Sequence, residues 1–242
     1  LLFLGCTAAY DVNVKQVAIN NINILEALGI DYGILGSEEK CCASVLLRMG
    51  DPEHKRVFKE NIDLFNSLGI ETLISSCSGC FKTIMQDYPR IAPLNFEVLH
   101  SIEFIARMLK QGALEFPHPV NRSVTYHDPC NVARSGWIVQ QPREIIRSFC
   151  RDFVEMEPHG RENYCCGGGS GFAIMSGHNF SDWRHHMTGR KKFRQILDAF
   201  QGEEMTQDNP KYLCAPCSNC KGQIRDIIAY YDAWEKAGIY YG

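Results

Sequence analysis

The chain has 242 residues, 45% of them apolar and 22% charged, with a formal net charge of −3. That length supports one large domain or two small ones with a buried core, and that composition excludes a disordered chain. There is no basic excess to imply a nucleic-acid partner, and no apolar run approaches the roughly 18 residues that cross a bilayer.

Leu1-Leu2-Phe3-Leu4-Gly5 lacks an initiator Met and a charged leader region. It reads as a buried strand running into Cys6, in a fragment whose upstream sequence is missing. Val14, Val17, Ala18, Ile22, Leu25 and Leu28 recur at helical spacing and stop at Gly29, a C-cap residue. Ile30 to Leu35 then reads as a strand, Phe58 to Leu68 as a helix closed by Gly69, Ile70 to Ser75 as a strand and Ile102 to Leu109 as a helix. Pro117-His118-Pro119 is the linker. Beyond it come strand Ser123 to His127, helix Arg143 to Phe149, strand Phe153 to Met156, helix Phe193 to Phe200, strand Lys211 to Leu213 and helix Ile224 to Tyr231. Strands alternating with helices imply an α/β fold with parallel strands and crossover helices.

The twelve cysteines reveal a duplication. Cys6 is followed after 34 residues by Cys41-Cys42, and after another 34 by Cys77-Ser78-Gly79-Cys80. Cys130 is likewise followed after 34 residues by Cys165-Cys166, and later by Cys217-Ser218-Asn219-Cys220. The offset between copies is 124 residues up to the vicinal pairs and 140 at the C-x-x-C pairs, so the second copy carries a 16-residue insertion. The expectation is two pseudo-symmetric halves, 1–115 and 120–242, each with a small parallel sheet flanked by helices. The cysteines fall near the strand ends, where open α/β sheets hold ligands.

Each half thus supplies five thiols. Disulfides need an oxidising compartment, and a bridge within a vicinal pair closes a strained ring. Zinc takes four tetrahedral ligands, for which a vicinal pair is a poor fit. A multi-iron cluster uses more thiolates than one tetrahedral ion can, so the pattern points to iron–sulfur chemistry.

The doubled pattern Cys-x34-Cys-Cys, then Cys-x2-Cys, with Cys165-Cys166-Gly167-Gly168-Gly169, resembles the cysteine-rich CCG domain of the heterodisulfide reductase family over essentially the whole chain. Within it, His127-Asp128-Pro129-Cys130-Asn131-Val132-Ala133-Arg134 and Cys217-Ser218-Asn219-Cys220-Lys221 look most like the cytoplasmic heterodisulfide-reductase-like subunit of sulfate reducers' membrane redox complexes. The resemblance implies two noncubane 4Fe-4S clusters with five cysteine ligands each: Cys6, Cys41, Cys42, Cys77 and Cys80 for one, Cys130, Cys165, Cys166, Cys217 and Cys220 for the other. It implies an oxidoreductase that exchanges two electrons with a disulfide or trisulfide on a small thiol or a thiol-carrier protein. Other redox subunits would be its partners, at the cytoplasmic face of a membrane complex. The alternative is a non-catalytic relay between a dehydrogenase and a quinone-linked membrane complex. Reducing a disulfide takes two electrons and a cluster ordinarily passes one, which gives the duplication a reason.

Three features depart from the family pattern, one being that the second C-x-x-C lies 50 residues after its vicinal pair, further than usual. The first copy reads Cys41-Cys42-Ala43, and Cys214 turns the last motif into C-x-x-C-x-x-C, leaving Cys214/Cys217 open as an alternative to Cys217/Cys220. Cys150 reads as a buried core thiol at a helix end. The run Gly167-Gly168-Gly169-Ser170-Gly171 is expected to let backbone approach a cluster and direct N–H groups at it, with a phosphate-binding loop as the alternative. His127 is a candidate proton donor to a leaving thiolate, or else a histidine bonded to backbone. Arg134 is a candidate for orienting an anionic substrate end, or else a structural arginine. The stretch His178 to His186 reads as an exposed helix or loop, with a haem or metal site as the alternative. Arg190-Lys191-Lys192 reads as a solvated basic face, with docking of an acidic partner as the alternative.

Overall fold

The apolar start of the chain forms strand β1 (Leu2–Phe3), and a computed structural model describes the fold over residues 1–12, 14–169 and 180–242. The chain divides into two units, Leu1–Leu114 and Glu115–Gly242. In the first unit β1 is followed by helices α1 (Cys6–Tyr10), α2 (Lys15–Ala27), α3 (Ser44–Met49) and α4 (Glu53–Ser67). Then come β2 (Thr72–Ser75), α5 (Ser78–Lys82), β3 (Glu97–His100) and α6 (Ser101–Lys110). The strands form a parallel sheet in the order β1-β2-β3, with Phe3 opposite Ser75 and Ser75 opposite His100.

The second unit repeats the plan. It runs β4 (Val120–Tyr126), α7 (Cys130–Ala133), α8 (Gln140–Phe149), β5 (Cys150–Val154), α9 (Arg190–Ala199), β6 (Lys211–Cys214), α10 (Ser218–Tyr230), α11 (Ala233–Ala237) and β7 (Ile239–Tyr241). Its four parallel strands lie in the order β5-β4-β6-β7. Both sheets are small, parallel and flanked by helices, as the alternating pattern implies.

Two expected strands differ, and two strands were not expected. Ile30 to Leu35 forms no strand; it runs beside β1 and makes one ladder bond, from Leu2 N–H to the Gly33 carbonyl at 2.9 Å. This segment occupies the edge that β5 fills in the other sheet, but Gly33 and a turn at Gly36 leave it too little pairing to count as a strand. The strand expected at Phe153 to Met156 starts earlier, at Cys150, because Cys150 is already extended as it caps α8. Strands β3 and β7 are short sheet edges, of four and three residues, which the sequence pattern does not mark.

Helix α4 buries Phe58, Asn61, Ile62 and Phe65 against Phe3 and Leu73. Helices α9 and α10 do the same in the second unit with Ile196 and Ile224 against Leu213. Fully burying such a side chain contributes roughly 1.5–3 kcal/mol. Packing of the crossover helices on the sheet therefore fixes where each strand ends, and the cysteines follow those ends.

Candidate metal centres

In the first unit, Cys6 opens α1 just past β1, and Cys77 caps α5 just past β2. Cys41 and Cys42 arrive on the loop before α3. Their thiols form one connected set: Cys6 Sγ lies 4.0 Å from Cys41 Sγ, Cys42 contacts Cys41 and Cys80, and Cys80 contacts Cys77. The second unit reproduces this order of neighbours. Cys130 contacts Cys165, Cys165 contacts Cys166, Cys166 Sγ lies 3.2 Å from Cys220 Sγ, and Cys220 contacts Cys217. All ten are free thiols. In both sets the C-x-x-C end is buried, apart from the half-buried Cys77, while Cys6, Cys41 and Cys165 are exposed. Among the described residues each set is therefore most open to solvent at the end opposite its C-x-x-C.

The local backbone explains the glycines. Gly5 has φ +79°, and a Cβ there would stand 3.3 Å from Cys80 Sγ, so only glycine lets Cys6 turn in towards the C-x-x-C. Gly167 has φ +82°, and a Cβ there would fall 2.1 Å from Thr188 Oγ1; at Gly168 it would fall 2.7 Å from the Asn219 carbonyl. The N–H groups of Gly167 and Gly168 point at Cys165 Sγ and Cys166 Sγ, each at 3.4 Å. Ala43, which replaces the family glycine, keeps the left-handed conformation at φ +56° and donates its N–H to Cys41 Sγ at the same 3.4 Å. Ser170 and Gly171 of the glycine run lie outside the described residues.

The charge state of the sulfurs argues for a metal. One thiol in each set is driven to the thiolate: Cys42 by the thiols of Cys41 and Cys80, and Cys165, brought down to about 2, by those of Cys130 and Cys166. Donating such S–H bonds to a neighbouring sulfur leaves a thiol harder to ionise, so Cys6, Cys80, Cys130 and Cys220 are all pushed up. Five sulfurs this close cannot all carry charge unless cations hold them, and metal binding provides that.

A second layer surrounds the second set. Lys192 Nζ donates to Asn163 Oδ1 at 2.8 Å and to Gln195 Oε1, and Gln195 in turn donates to the Pro158 carbonyl. Since the ammonium can only donate, it fixes the Asn163 amide. The amide nitrogen then faces His127 Nδ1 at 3.1 Å and the Asp128 carbonyl at 3.2 Å. Nδ1 is therefore the acceptor and Nε2 carries the proton. Burial holds the His127 imidazole neutral, well below its usual pKa. Its Nε2 is buried and has no hydrogen-bond partner among the described residues, while a ring nitrogen lies within 4.8 Å of the Cys166 and Cys220 sulfurs. An N–H left without an acceptor beside two sulfurs fits a bound cluster, whose sulfur atoms accept such bonds. Lys192 fits it too: its pKa is lowered to about 8, chiefly by burial, which negative charge at Cys166, Cys220, Cys165 and Asp128 offsets in part.

The remaining candidates are placed as follows. Arg134 is exposed, and its Nε and Nη2 donate to the carbonyls of Arg161 and Asn163, which clamps the loop leading to Cys165. Cys214 Sγ donates to the Thr125 carbonyl at 3.6 Å and packs with Cys150 under α8, whereas Cys220 sits against Cys166. Cys150 is buried, as expected of a core thiol, though it begins β5 and donates to the Arg122 carbonyl. Of the histidine-rich stretch, His178 and Asn179 lie outside the described residues. His185 is buried, 2.9 Å from Asp226 and stacked on Tyr230, and His186 pairs with the Tyr230 hydroxyl. Lys192 corrects the reading of residues 190–192 as a solvated face: Arg190 and Lys191 are exposed, but Lys192 is 0% exposed. It lies in register with the buried Gln195 and Ile196 on α9. That i, i+3, i+4 spacing was the available signal, masked by two adjacent cations. Asn163 carried no signal in the sequence, and neither did Arg143. The buried Arg143 holds Asp128, next to the Cys130 turn, with bonds of 2.7 and 2.8 Å and also pairs with Glu155.

Two α/β units each gather five thiols beside a parallel sheet, a donor set of the kind that holds iron–sulfur clusters. The model of the cysteine-rich domain (CCG) matches residues 1–85 and 124–225, and the chain belongs to that family. It is 34% identical over 231 residues to one of the subunits of the dihydromethanophenazine:CoB–CoM heterodisulfide reductase of Methanosarcina barkeri, covering 93% of this chain and 53% of that one. It is 26% identical to the EtfAB:quinone oxidoreductase of Syntrophomonas wolfei, covering 99% of this chain and 33% of that one. An iron-sulfur protein of Methanococcus maripaludis is 26% identical, over 95% of this chain and 41% of its own length. The chain thus spans about half or less of these relatives, and they place it among iron–sulfur redox subunits.

Proposed function

We propose that this chain holds two noncubane 4Fe-4S clusters, one on Cys6, Cys41, Cys42, Cys77 and Cys80 and one on Cys130, Cys165, Cys166, Cys217 and Cys220. With them it exchanges two electrons with a disulfide or trisulfide of a small thiol or thiol-carrier protein. When bound, the clusters supply the single-electron steps that together cleave an S–S bond into two thiols, with two protons taken up. The observation that carries this reading is the identical order of sulfur neighbours in the two halves, each exposed at one end. The chain's own residues set up the rest. Arg134 positions the Cys165 loop at the exposed end, and His127 holds a proton at Nε2 beside Cys166 and Cys220. Electrons come from other redox subunits of a membrane-associated complex, at its cytoplasmic face. Among the described residues no helix is long and apolar enough to cross a membrane. The quinone named in the Syntrophomonas relative favours a second reading, a relay without a disulfide substrate.

Iron and acid-labile sulfide assays on anaerobically purified protein, followed by electron paramagnetic resonance with and without added thiol, separate these. Eight irons per chain with a thiol-responsive signal support disulfide chemistry. Eight irons with no thiol response favour the relay, four remove one site, and zinc alone overturns both readings.

A further inference from the structure

The two sites are built alike in sulfur but not in charge. At the 124-residue offset, His127 corresponds to Phe3 and Asn163 to Glu39. Phe3 is fully buried and packs edge-on against Phe65, so no N–H donor stands there. Glu39 is a carboxylate that accepts from the N–H groups of Leu4 and Gly5, next to Cys6. The helices differ in the same sense. Buried positions on α4 fall at Phe58, Asn61 and Ile62, and on α9 at Lys192, Gln195 and Ile196, so the register sets Lys192 where the first half has Phe58. Phe58 packs on Tyr88, at 4.5 Å between ring centres, and on His54, at 5.3 Å.

Lys192 itself is 0% exposed, and its hydrogen-bond partners are the amide oxygens of Asn163 and Gln195. Nearby Asp128 is already committed to Arg143 and to the Gly160 N–H. A buried ammonium bonded only to neutral oxygens requires a negative counter-charge. In this half the chain Lys192–Asn163–His127 leads to the sulfurs of Cys166 and Cys220, within 4.8 Å of a His127 ring nitrogen, and those sulfurs, once held as thiolates by a metal, supply it together with Asp128. The charge and the N–H donor therefore act on the same group, and both favour its more negative, reduced state. Glu39 in the first half acts in the opposite sense.

We infer that the second site is the stronger electron acceptor of the two, and that Lys192, acting directly by its charge and through Asn163 on His127, makes it so. The inference rests on the cluster reading above. Lys192 is a positioning and tuning residue, and electrons reaching the chain settle on the second site ahead of the first.

The test is an anaerobic redox titration of the loaded full chain, followed by electron paramagnetic resonance. A Cys41→Ser/Cys42→Ser chain, which empties the first site, assigns the two couples. Wild type is expected to reduce the second site at a potential at least tenfold in equilibrium above the first. Lys192→Met should weaken reduction of that site about tenfold, about 59 mV for a one-electron couple, and leave the first within twofold. Should Lys192→Met fail to retain iron, Asn163→Asp carries the measurement. It is isosteric, neutralises Lys192 in place and removes the donor that fixes the His127 tautomer, so the same couple should fall. A second-site couple that stays put in both variants overturns the inference while eight irons per chain uphold the cluster reading. So do two couples that move together, or a first site that is the stronger acceptor. Wild-type protein without iron overturns the reading and the inference with it.

Discussion

Replacing Gly167 with alanine isolates how backbone geometry holds the second site. The residue sits at φ +82°, where an L side chain costs roughly 1–2 kcal/mol. The new Cβ would also stand 2.1 Å from Thr188 Oγ1 and 2.5 Å from Thr188 Cβ. Displacing that residue, which lies on the helical turn leading into α9, is an overpacking of roughly 1–3 kcal/mol. Together these come to about 3 kcal/mol, a large part of the roughly 5–15 kcal/mol that holds a domain folded. The mirror experiment is Ala43→Gly. It relieves strain of about 1 kcal/mol at φ +56° and removes one buried methyl worth about 0.8 kcal/mol, so the net change is near zero. Urea unfolding of the anaerobic protein reads both, with iron content measured in parallel. Gly167→Ala should shift the midpoint markedly and reduce iron held by the second site, while Ala43→Gly should leave both unchanged. Equal effects from the two substitutions, or a cost below about 1 kcal/mol for Gly167→Ala, would refute the argument.

Arg143→Met should destabilise the chain by roughly 3–5 kcal/mol in denaturant unfolding, because it strands the buried carboxylate of Asp128 without its cation. Cys220→Ser should lower bound iron and Cys214→Ser should not, since the sulfur of Cys214 faces the Thr125 carbonyl and that of Cys220 faces Cys166. In the metal-free protein, His127 has a folded-state pKa well below its unfolded value of 6.5, so the unfolded chain takes up the proton first. Stability should then fall as pH drops below about 6.5, by up to about 1.4 kcal/mol per unit, and His127→Gln should flatten that slope. A slope that survives the substitution would assign the effect to another group.

The cysteine spacing made the duplicated architecture and the two groups of five legible in the sequence, because identical gaps of 34 residues need no knowledge of the fold. The crossover helices were legible as well: α2, α4 and α10 carry apolar residues at helical spacing. What stayed hidden depends on contacts distant in sequence. The edge segment 30–35 has a strand's composition but gains one ladder bond, since pairing is decided by its neighbour and by the glycines around it. Lys192 looked solvated because charge in a basic run predicts exposure, yet its place on the buried stripe of α9 prevailed. Asn163 is an ordinary loop residue until Lys192, 29 positions later, fixes its amide. The role of Arg134 depended on which carbonyls came within reach.

The ligands of each proposed centre are strung along a long stretch of chain, from Cys6 to Cys80 in one half and from Cys130 to Cys220 in the other. Whatever joins five sulfurs so spaced is also a crosslink, closing loops whose entropy in the unfolded chain is worth on the order of 4 kcal/mol. The two crosslinks share no segment. Oxidative loss of one would therefore unfasten its own half and leave the other fastened, so damage to this protein should come in two discrete steps.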